Sequence, residues 1–481
     1  MNAPKFRIKQ ISFIEREVRL RLPFRFGVVT LKECPQVYVK VDVEFKDATL
    51  AQGCSSEMMV PKWFDKNMDL SNEDNFNQLR LSLKIARTAY LAESSFKNAW
   101  EYFSHHYSSI IKSGEQNNLN HLTSNFGIAL IDKALIDALC HYLNSNFYKV
   151  INHNHIGLNS SDMSELSDLK NFDLNKFLKS LSPSAQIDAR HTIGLLDAID
   201  KLDDSVSRPE DTLPVTLKDV VNTYGHRYYK IKLCGNLDKD IIRLKEIAPV
   251  IQDVAIGISL DGNEQFVSGQ SFLEFFNVFK KTKDLEKIFN KILFIEQPIH
   301  RDQAMKTNVE EIAAYKPLLI DESDADLDTF VKAIDLGYRG VSSKSCKGVY
   351  KSLINAARCK MLNDSSNIKS SKTSSFYFQT GEDLTMQPGV GIQQDLALVS
   401  LLGLTHVERN GHHYVNGMQG IPLGEQSSFL AHHPFLYTES ETDIRLQIKE
   451  GLINLSSLSS SGFATCIQGG CIDWNSFNQS Y

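Results

Sequence analysis

Residues 292–296 read Ile-Leu-Phe-Ile-Glu, a short apolar run that ends on a carboxylate. Similar runs that end on or beside an ionisable residue recur in the second half of the chain, at residues 227–233, 254–261, 318–321 and 340–344. The ionisable residues at these ends are Lys232, Asp261, Glu296, Asp321 and Lys344. The successive steps between them are 29, 35, 25 and 23 residues. This spacing suits one strand and one helix per step. The alternation predicts an α/β domain around a parallel sheet.

The first third of the chain has a different pattern. Residues 37–45 alternate apolar and polar side chains, which is typical of a strand with one buried face. Residues 79–102 and 127–143 instead carry apolar side chains at helical spacing. Strands followed by helices predict an α+β domain, which we assign to residues 1–150.

The domain boundaries follow from where these patterns change. The strand and helix repeat begins near Ile187, and we assign residues 186–415 to the second domain. Residues 416–481 form a C-terminal segment that the pattern alone does not position. Residues 157–184 and 363–375 are rich in polar residues, and we predict that both are surface insertions or flexible loops.

The composition argues against several classes of protein. The 481 residues are 23% charged and 42% hydrophobic, as in an ordinary globular chain of two or more packed units. The net charge of −6 and the scattered Lys and Arg argue against a nucleic-acid partner, and no apolar stretch has membrane-spanning length. The first twenty residues lack the pattern of a secretory signal. The eight cysteines form no C-x-x-C pair, so we predict reduced thiols and a cytoplasmic protein.

Three carboxylates stand at the ends of successive predicted strands, namely Asp261, Glu296 and Asp321. In a (β/α)₈ barrel such strand ends converge on the mouth where active sites lie. Any one of these acids alone is better explained as a solvated loop residue. Three together repel one another unless a cation lies between them, and all-oxygen ligands suit Mg²⁺. We predict a divalent metal site here, with polar neighbours such as Asn263 and Glu322 orienting the ligands.

Lysines are the candidate acid and base groups. Lys230 and Lys232 lie two residues apart on one strand, so both point the same way, although exposed lysines on an amphipathic strand give the same pattern. Burial, like-charge repulsion and a nearby metal should lower a lysine pKa from about 10.4 towards neutrality, which makes a usable base. Lys344 would approach from across the barrel. Lys347 competes with it, but Lys344 directly continues a strand whereas Lys347 begins the following turn.

Taken together, these motifs resemble the enolase superfamily, and within it the muconate lactonizing enzyme-like subgroup that includes dipeptide epimerases. The matching motifs are KIK at 230–232, LDGN at 260–263, IEQP at 295–298, IDES at 320–323 and the segment around Lys344. The resemblance implies a modified TIM-type (β/α)₇β barrel with an α+β N-terminal capping domain to which the C-terminal segment returns. It also implies Mg²⁺, with Mn²⁺ as an alternative, a small-molecule carboxylate substrate and a homo-oligomer.

The resemblance further implies a role for each site residue. It assigns the metal to Asp261, Glu296 and Asp321, acid and base transfer on opposite faces of the substrate to Lys232 and Lys344, and electrostatic support to Lys230. Glu382 resembles the glutamate at the end of the seventh strand. Removing a proton beside a carboxylate adds a second negative charge, and metal and lysine cations stabilise the resulting ene-diolate.

Two N-terminal segments resemble loops that close over the substrate in this family. They are residues 23–27, which read Pro-Phe-Arg-Phe-Gly, and residues 54–61. Ordinary loop packing would explain both equally well. We expect the capping domain to keep water from the site and to select the substrate.

The chain also departs from the resemblance. No histidine stands beside Glu382, so the histidine base of mandelate racemase-like members is absent. Residues 405–414 lack the D-x-D of typical dipeptide epimerases, and their His406, His412 and His413 are more simply structural or solvated. We therefore predict an isomerase or lyase that racemises, epimerises, cycloisomerises or eliminates. The alternatives are an acid-sugar dehydratase of the same superfamily, with Lys347 or a histidine as the acid, and a non-catalytic binding protein.

Overall fold

The structure is a computed structural model that describes residues 3–202, 208–365, 376–441 and 443–477. It contains an N-terminal antiparallel sheet covered by helices, and a closed barrel of parallel strands surrounded by helices. Within the described ranges, no helix combines the length and the apolar character needed to cross a membrane.

The N-terminal unit is a three-stranded sheet with long helices on one face. Its strands, in the order β1-β2-β3, are β1 (Phe6–Phe26), β2 (Val29–Phe45) and β3 (Leu50–Met58). Its helices are α1 (Asn72–Ala92), α2 (Ala99–Gln116), α3 (His121–Tyr142) and α4 (Phe147–Asn152). Residues 122–140 of α3 are all buried, because the sheet packs on one side and α1 and α2 on the other.

One helical prediction needs correction. The apolar spacing over residues 79–102 belongs to two helices, because α1 ends at Ala92 and α2 begins at Ala99. Asn98 caps the start of α2 by accepting a hydrogen bond from the backbone N–H of Glu101, whose side chain bonds back to the backbone of Asn98. This reciprocal cap defines a new helix start within a continuous apolar pattern.

Eight parallel strands form the barrel, and β11 closes it by pairing with β4. The strands are β4 (Gln186–Ile193), β5 (Tyr228–Lys232), β6 (Gly257–Asp261), β7 (Ile292–Glu296), β8 (Leu318–Ile320), β9 (Gly340–Ser343), β10 (Phe378–Gly381) and β11 (His406–Arg409). Strands such as β6 are buried along their whole length, because the helices cover the outside and side chains fill the inside. The predicted (β/α)₇β barrel with an N-terminal capping unit is confirmed.

Helices connect these strands and surround the barrel. In chain order they are α5 (Leu174–Ser180), which precedes the barrel, then α6 (Leu217–Tyr224), α7 (Leu237–Ile251), α8 (Gly269–Lys281), α9 (Glu286–Asn290), α10 (Arg301–Ala304), α11 (Glu310–Ala313), α12 (Thr329–Asp335), α13 (Val349–Ser365) and α14 (Val390–Leu401). Every strand from β4 to β10 is followed by at least one helix before the next strand begins.

The C-terminal segment contacts both units. After β11 the chain forms α15 (Gly411–Tyr414), and the segment itself contains α16 (Leu423–His432), β12 (Tyr437–Glu439), β13 (Ile444–Leu446) and β14 (Leu452–Asn454), of which β14 pairs antiparallel with β4. Its last part meets the capping unit, where the backbone N–H of Phe463 donates to Asp137 of α3 at 2.7 Å. The segment therefore links the barrel to the cap.

The two predicted insertions have different outcomes. Residues 157–184 form short helical turns and α5, with Leu166, Leu169 and Leu178 buried, so this stretch is a packed element rather than a flexible loop. Of residues 363–375, the first three end α13 and the rest lie outside the described residues.

Candidate active site

Strand register brings the predicted metal ligands to one end of the barrel. Lys232 and Asp261 are paired positions of β5 and β6, and Asp261 and Glu296 are paired positions of β6 and β7. Asp321 directly follows β8, whose Leu319 pairs with Glu296. All three carboxylates are fully buried. The ends of the three strands therefore bring the three carboxylates to the same mouth, as predicted.

Tight turns directly after these strands hold the backbone in unusual conformations. Asn263, Glu264 and Gln297 have φ values of 41°, 64° and 32°, in the left-handed region that non-glycine residues rarely adopt. Gly262 is required, because a Cβ there would lie 2.5 Å from the Cα of Pro298. Each such residue costs about 1–3 kcal/mol, and strain of this kind concentrates at functional sites.

Lys230 is the centre of a buried charge network. Its Nζ lies 2.9 Å from Asp261 Oδ2, 2.7 Å from Glu296 Oε2, 2.8 Å from Glu382 Oε2 and 3.0 Å from Glu408 Oε2. Burial alone would lower the pKa of Lys230, but these carboxylates outweigh burial and raise that pKa well above its ordinary value. Lys230 is therefore a fixed positive charge among acids.

Lys232 and Lys344 each contact one predicted metal ligand. Lys232 Nζ donates to Asp261 Oδ2 at 2.6 Å, and Lys344 Nζ donates to Asp321 Oδ2 at 2.6 Å. Burial acts to lower the pKa of Lys344, but Asp321 outweighs it and the pKa is raised. The lowering expected for one lysine of the Lys230 and Lys232 pair is therefore not found at Lys230, and the pKa of Lys344 is raised in the same way, because each of these two lysines faces a carboxylate at ion-pair distance.

A small cavity of about 20 Å³ lies between these lysines and the capping unit. Lys232 and Lys344 both line it, from strands on different sides of the barrel. The N-terminal unit covers it with aromatic side chains, Phe24, Phe26 and Trp63. Lys344 Nζ lies 4.2 Å from the centroid of the Trp63 ring, a cation–π contact. Of the two predicted cap regions, residues 23–27 line the cavity with Phe24 and Phe26. Residues 54–61 line it with Val60 and lead directly into the loop that carries Trp63.

A buried ion cluster holds the cap loop, the segment of the N-terminal unit that carries Trp63, Phe64 and Lys66, against the barrel. Arg301 donates to Glu264 and to the backbone carbonyls of Trp63 and Phe64, at 2.8 Å and 3.0 Å for the two carbonyls. Lys66 of the same loop lies 2.5 Å from Glu264. Burial acts to raise the pKa of Glu264, but Arg301 and Lys66 outweigh it and lower the pKa to about 2. The loop that carries Trp63 is therefore held by charge as well as by packing.

The other predicted residues lie around the same mouth. Asn263 lines the cavity, and its side-chain amide donates to Glu322 Oε1 at 3.2 Å. Burial, only partly offset by Lys66, raises the pKa of Glu322 to about 7. Glu382 is inside the barrel, bonded to Lys230 and to Arg190.

Sequence reasoning missed four residues of this network, Arg190, Asp383, Glu408 and Asn410. Glu408 and Asn410 line the cavity from the end of β11, and Asp383 joins them by accepting a hydrogen bond from the backbone N–H of Asn410. Burial raises the pKa of Asp383 to about 6, although Arg409 acts to lower it. The sequence signal for Glu408 and Asn410 was their E-x-N spacing at the end of the eighth strand, because residues two apart on a strand share a face.

Four residues that competed for a role do not line the cavity. Lys347 donates to Asp324 at 3.0 Å and to Ser342 at 2.8 Å, and its Nζ lies 3.6 Å from Asp321 Oδ1. The three histidines weighed in the sequence, His406, His412 and His413, are buried elsewhere or only partly exposed. The preference for Lys344 over Lys347 agrees with this geometry.

The donor chemistry of the three carboxylates fits a hard divalent cation. Burial, together with repulsion from Asp261 and Glu382, raises the pKa of Glu296 well above its ordinary value, so the negative charge here is under-compensated. The side-chain oxygen of Asn263 is also buried without a partner among the described residues. Lysine ammonium groups contact all three carboxylates, Asp321 also accepts a hydrogen bond from the Ser342 hydroxyl, and the oxygens of the three ligands do not all come within 4.8 Å of one another. Mg²⁺ suits such oxygen ligands.

Comparison with known proteins identifies the fold. No protein-family model and no curated protein matches the sequence. The structure resembles an Enterococcus faecalis dipeptide epimerase complexed with Mg and L-Leu-L-Tyr, with a TM-score of 0.59, 13% identity and coverage of 95% of this chain and 99% of the other. It also resembles a muconate lactonizing enzyme from Pseudomonas fluorescens complexed with muconolactone, with a TM-score of 0.56, 15% identity and 95% coverage of each chain.

A third similar structure is described as an unknown member of the enolase superfamily from Enterococcus faecalis, with a TM-score of 0.58, 13% identity and 99% coverage of both chains. These matches extend over the capping unit and the barrel together. At such identities they establish a shared fold, and the resemblance read from the motifs is confirmed at that level.

Proposed function

We propose that this chain, which has the fold of the enolase superfamily, is an Mg²⁺-dependent enzyme that removes the α-proton of a small carboxylate. One observation carries the proposal. Lys232 and Lys344 line one covered cavity from different sides of the barrel, next to Asp261 and Asp321. A carbon held between them could lose a proton to one lysine and regain it from the other. This favours racemisation or epimerisation over cycloisomerisation and elimination, which need one proton-transfer face.

Asp261, Glu296 and Asp321 would hold the metal. When bound, the ion supplies positive charge that offsets the charge developing on the substrate carboxylate. Lys230 contributes in the same sense, because its ammonium group is buried and fixed by four carboxylates. Its role is electrostatic support.

Lys232 and Lys344 transfer the proton at their Nζ atoms. A base must be neutral when it accepts a proton, whereas Asp321 holds Lys344 protonated in this arrangement. When that carboxylate is engaged as a ligand, it no longer raises the lysine pKa to the same extent. The ion pair with Asp321 therefore couples the protonation state of Lys344 to occupancy of the ligand site.

The cap supplies exclusion of water. A cavity of about 20 Å³ is close to the size of one water molecule, so a substrate enters only when the aromatic cover moves. Phe24, Phe26 and Trp63 then close over the reacting carbon. A dry site strengthens the electrostatic interactions within it.

The alternative functions receive less support. A dehydratase needs a separate general acid, and Lys347 and the three histidines considered for that role do not line the cavity. A non-catalytic relative would be expected to lack a ligand or a lysine, and this chain has all six.

Proton exchange in D₂O tests the proposal most directly. The protein, stripped with a chelator and then reloaded with Mg²⁺, is incubated with a library of α-amino, N-acylamino, dipeptide and hydroxy carboxylates. Deuterium incorporation at the α-carbon is measured by mass spectrometry and chirality by chromatography. Exchange that requires Mg²⁺ and is accompanied by inversion supports a racemase or epimerase. Exchange without inversion supports elimination or cycloisomerisation.

Single substitutions assign the two faces. Lys232→Ala and Lys344→Ala should each abolish net inversion while leaving exchange with one stereoisomer only, since the other lysine remains. Absence of exchange across the library, or full exchange by metal-free protein, would contradict the proposed function.

A further inference from the structure

A second cluster of metal-binding side chains lies on the outer side of the barrel wall. On β4, Arg190 and Thr192 point inwards, where they bond to Glu382 and Glu408. Because successive side chains of a strand alternate, His191 between them faces outwards. There it meets two other buried histidines, His226 from the turn before β5 and His412 from α15.

The three imidazole rings have the spacing of ligands around one ion. His412 Nε2 lies 3.1 Å from His226 Nε2 and 3.3 Å from His191 Nδ1, and one nitrogen from each ring lies within 4.8 Å of the other two. Zn–N bonds of about 2.0–2.1 Å at a tetrahedral angle separate two nitrogens by roughly 3.3 Å. In the described part of the chain, this is the one group of three potential ligand side chains that lie this close.

Hydrogen bonding leaves a nitrogen lone pair free to face the centre of this cluster. His226 Nδ1 lies 3.0 Å from the carbonyl oxygen of Ala189. A carbonyl only accepts, so Nδ1 carries the proton and Nε2 keeps its lone pair. Metal-bound histidines are usually oriented in this way. Without an ion, His412 Nε2 donates to His226 Nε2, but His412 Nδ1 has no hydrogen-bond partner among the described residues and can take the ring proton when an ion binds at Nε2.

The rings are neutral and the nearby positive charges are paired. Burial, the largest effect, lowers the pKa of all three histidines, that of His226 to about 4. Neutral imidazole is the form that binds a metal. The two arginines that act on His412 each have a carboxylate partner, namely Asp211 for Arg21 and Asp395 for Arg409. A cation at the rings would therefore meet little uncompensated charge.

An access route reaches the cluster from the surface. His412 lines a partly open cavity of about 370 Å³, together with Tyr224, Leu213 and Arg445. This cavity is separate from the one that Lys232 and Lys344 line. An ion could thus reach His412 without passing the carboxylates at the barrel mouth.

We propose that His191, His226 and His412 bind one Zn²⁺ ion on the outside of the barrel. Three imidazoles form a known type of zinc site with water in the fourth position. The ion would join β4, the turn before β5 and the turn after β11, across the seam where the last strand pairs with the first. Its role is structural, because the rings lie outside the cavity that carries the proposed chemistry.

The test uses the full-length protein, stripped with a chelator and reloaded with Zn²⁺ or Co²⁺. Elemental analysis after dialysis should find one Zn²⁺ per chain. Co²⁺ should give the visible absorption of a tetrahedral site, and Zn²⁺ should abolish that absorption by displacing it. Since a ligand that binds only the folded state stabilises it, the melting temperature should rise on loading.

Variants separate the cluster from other metal-binding groups. His226→Gln and His412→Gln should each weaken Zn²⁺ binding by at least about 100-fold, more than the 10–100-fold typical when an outer partner of a ligand is lost. His141→Gln is the matched control, because that partly buried histidine of α3 contacts Thr465 and Asp137 and does not belong to the cluster. His412→Cys supplies another zinc ligand and should recover binding, which distinguishes ligand loss from misfolding.

The site is independent of the proposed enzyme activity. Asp321→Asn should leave Zn²⁺ content and the Co²⁺ spectrum unchanged, even if no substrate is ever found. Failure of the reloaded wild-type protein to retain Zn²⁺, or unchanged affinity in both glutamine variants, would overturn the proposal. The three rings would then be a packed group of neutral histidines.

Discussion

The inner and outer faces of the barrel wall carry two different buried clusters. On the inner face, Arg190 and Glu408 join a network in which lysines and carboxylates alternate. On the outer face, His191 joins two other neutral imidazoles. Arg190 and His191 are neighbours on β4, and only their position in the alternation differs.

The difference shows two ways of burying ionisable groups. The inner network retains its charges by pairing them, so removal of one member leaves an uncompensated charge that costs several kcal/mol. The outer cluster loses its charge instead, because burial lowers the pKa of each histidine. Oxygen donors suit Mg²⁺ and imidazoles suit Zn²⁺, so the two clusters should select different ions.

The largest expected effect comes from removing one charge of the inner cluster. Asp321→Asn removes a proposed metal ligand and the partner of Lys344, so Mg²⁺-dependent exchange should fall by about 10³-fold or more, beyond the 10–100-fold typical of losing an outer partner. The measurement is deuterium exchange against Mg²⁺ concentration. Exchange within a few fold of wild type would remove Asp321 from the site.

The second largest effect is the expected difference in exchange rate between variants of Lys344 and of Lys347, the two lysines that follow β9. Lys344→Ala should lower exchange by roughly 10²–10⁴-fold, the usual contribution of an acid or base, for the stereoisomer whose proton faces Lys344, because Lys344 lines the cavity. Lys347→Ala, the matched variant, should change the exchange rate much less, because Lys347 does not line the cavity, donates to Asp324 and Ser342, and lies farther from the Asp321 carboxylate, at 3.6 Å. A reversed order would move the catalytic role to Lys347.

The ion cluster of Glu264, Arg301 and Lys66 between the cap loop and the barrel should contribute to the stability of the fold. Glu264→Gln leaves Arg301 and Lys66 without their carboxylate, and breaking a buried pair in this way costs about 3–5 kcal/mol. The free energy of unfolding is measured by urea denaturation. Gln270→Ala, an exposed change on the barrel helix α8, is the control and should have little effect. Equal stability of Glu264→Gln and wild type would show that this ion cluster does not hold the cap loop against the barrel.

The same glutamate should make stability depend on acid pH. Its pKa of about 2 lies below the ordinary 4.5, so its contribution is present above pH 4.5 and is lost as the pH falls towards 2. The loss amounts to about 3 kcal/mol in total. Urea denaturation at several pH values should therefore show a steeper decline for wild type than for Glu264→Gln over this range. Parallel curves would assign the acid sensitivity to other carboxylates.

The smallest effect concerns the aromatic cover of the inner cluster. Trp63→Leu keeps an apolar side chain over Lys344 but removes the cation–π contact, which is worth about 0.5–2 kcal/mol. KM should rise more than kcat falls if Trp63 mainly closes the site, and the zinc content should not change. Kinetics with the best substrate from the exchange screen measure both values.

Much of the fold and of the inner cluster was predictable from the sequence. Short apolar runs ending at Asp261, Glu296 and Lys344 predicted parallel strands with their polar ends at one mouth, because a strand is local and its end is visible in the chain. The lysine pair two residues apart was equally visible. Glu408 and Asn410 were missed, because their E-x-N spacing does not match the D-x-D motif and a shared strand face does not by itself show which face points into the barrel.

Tertiary structure alone decided which of these groups meet. The raised pKa of Lys344 depends on its distance from Asp321. The ion cluster at Glu264 forms because the fold brings together Lys66 and Arg301, which are far apart in sequence. The cluster of His191, His226 and His412 likewise forms only when β11 closes on β4. Local patterns determine strands and helices, whereas pairing energies and pKa values depend on distances that only the closed barrel sets.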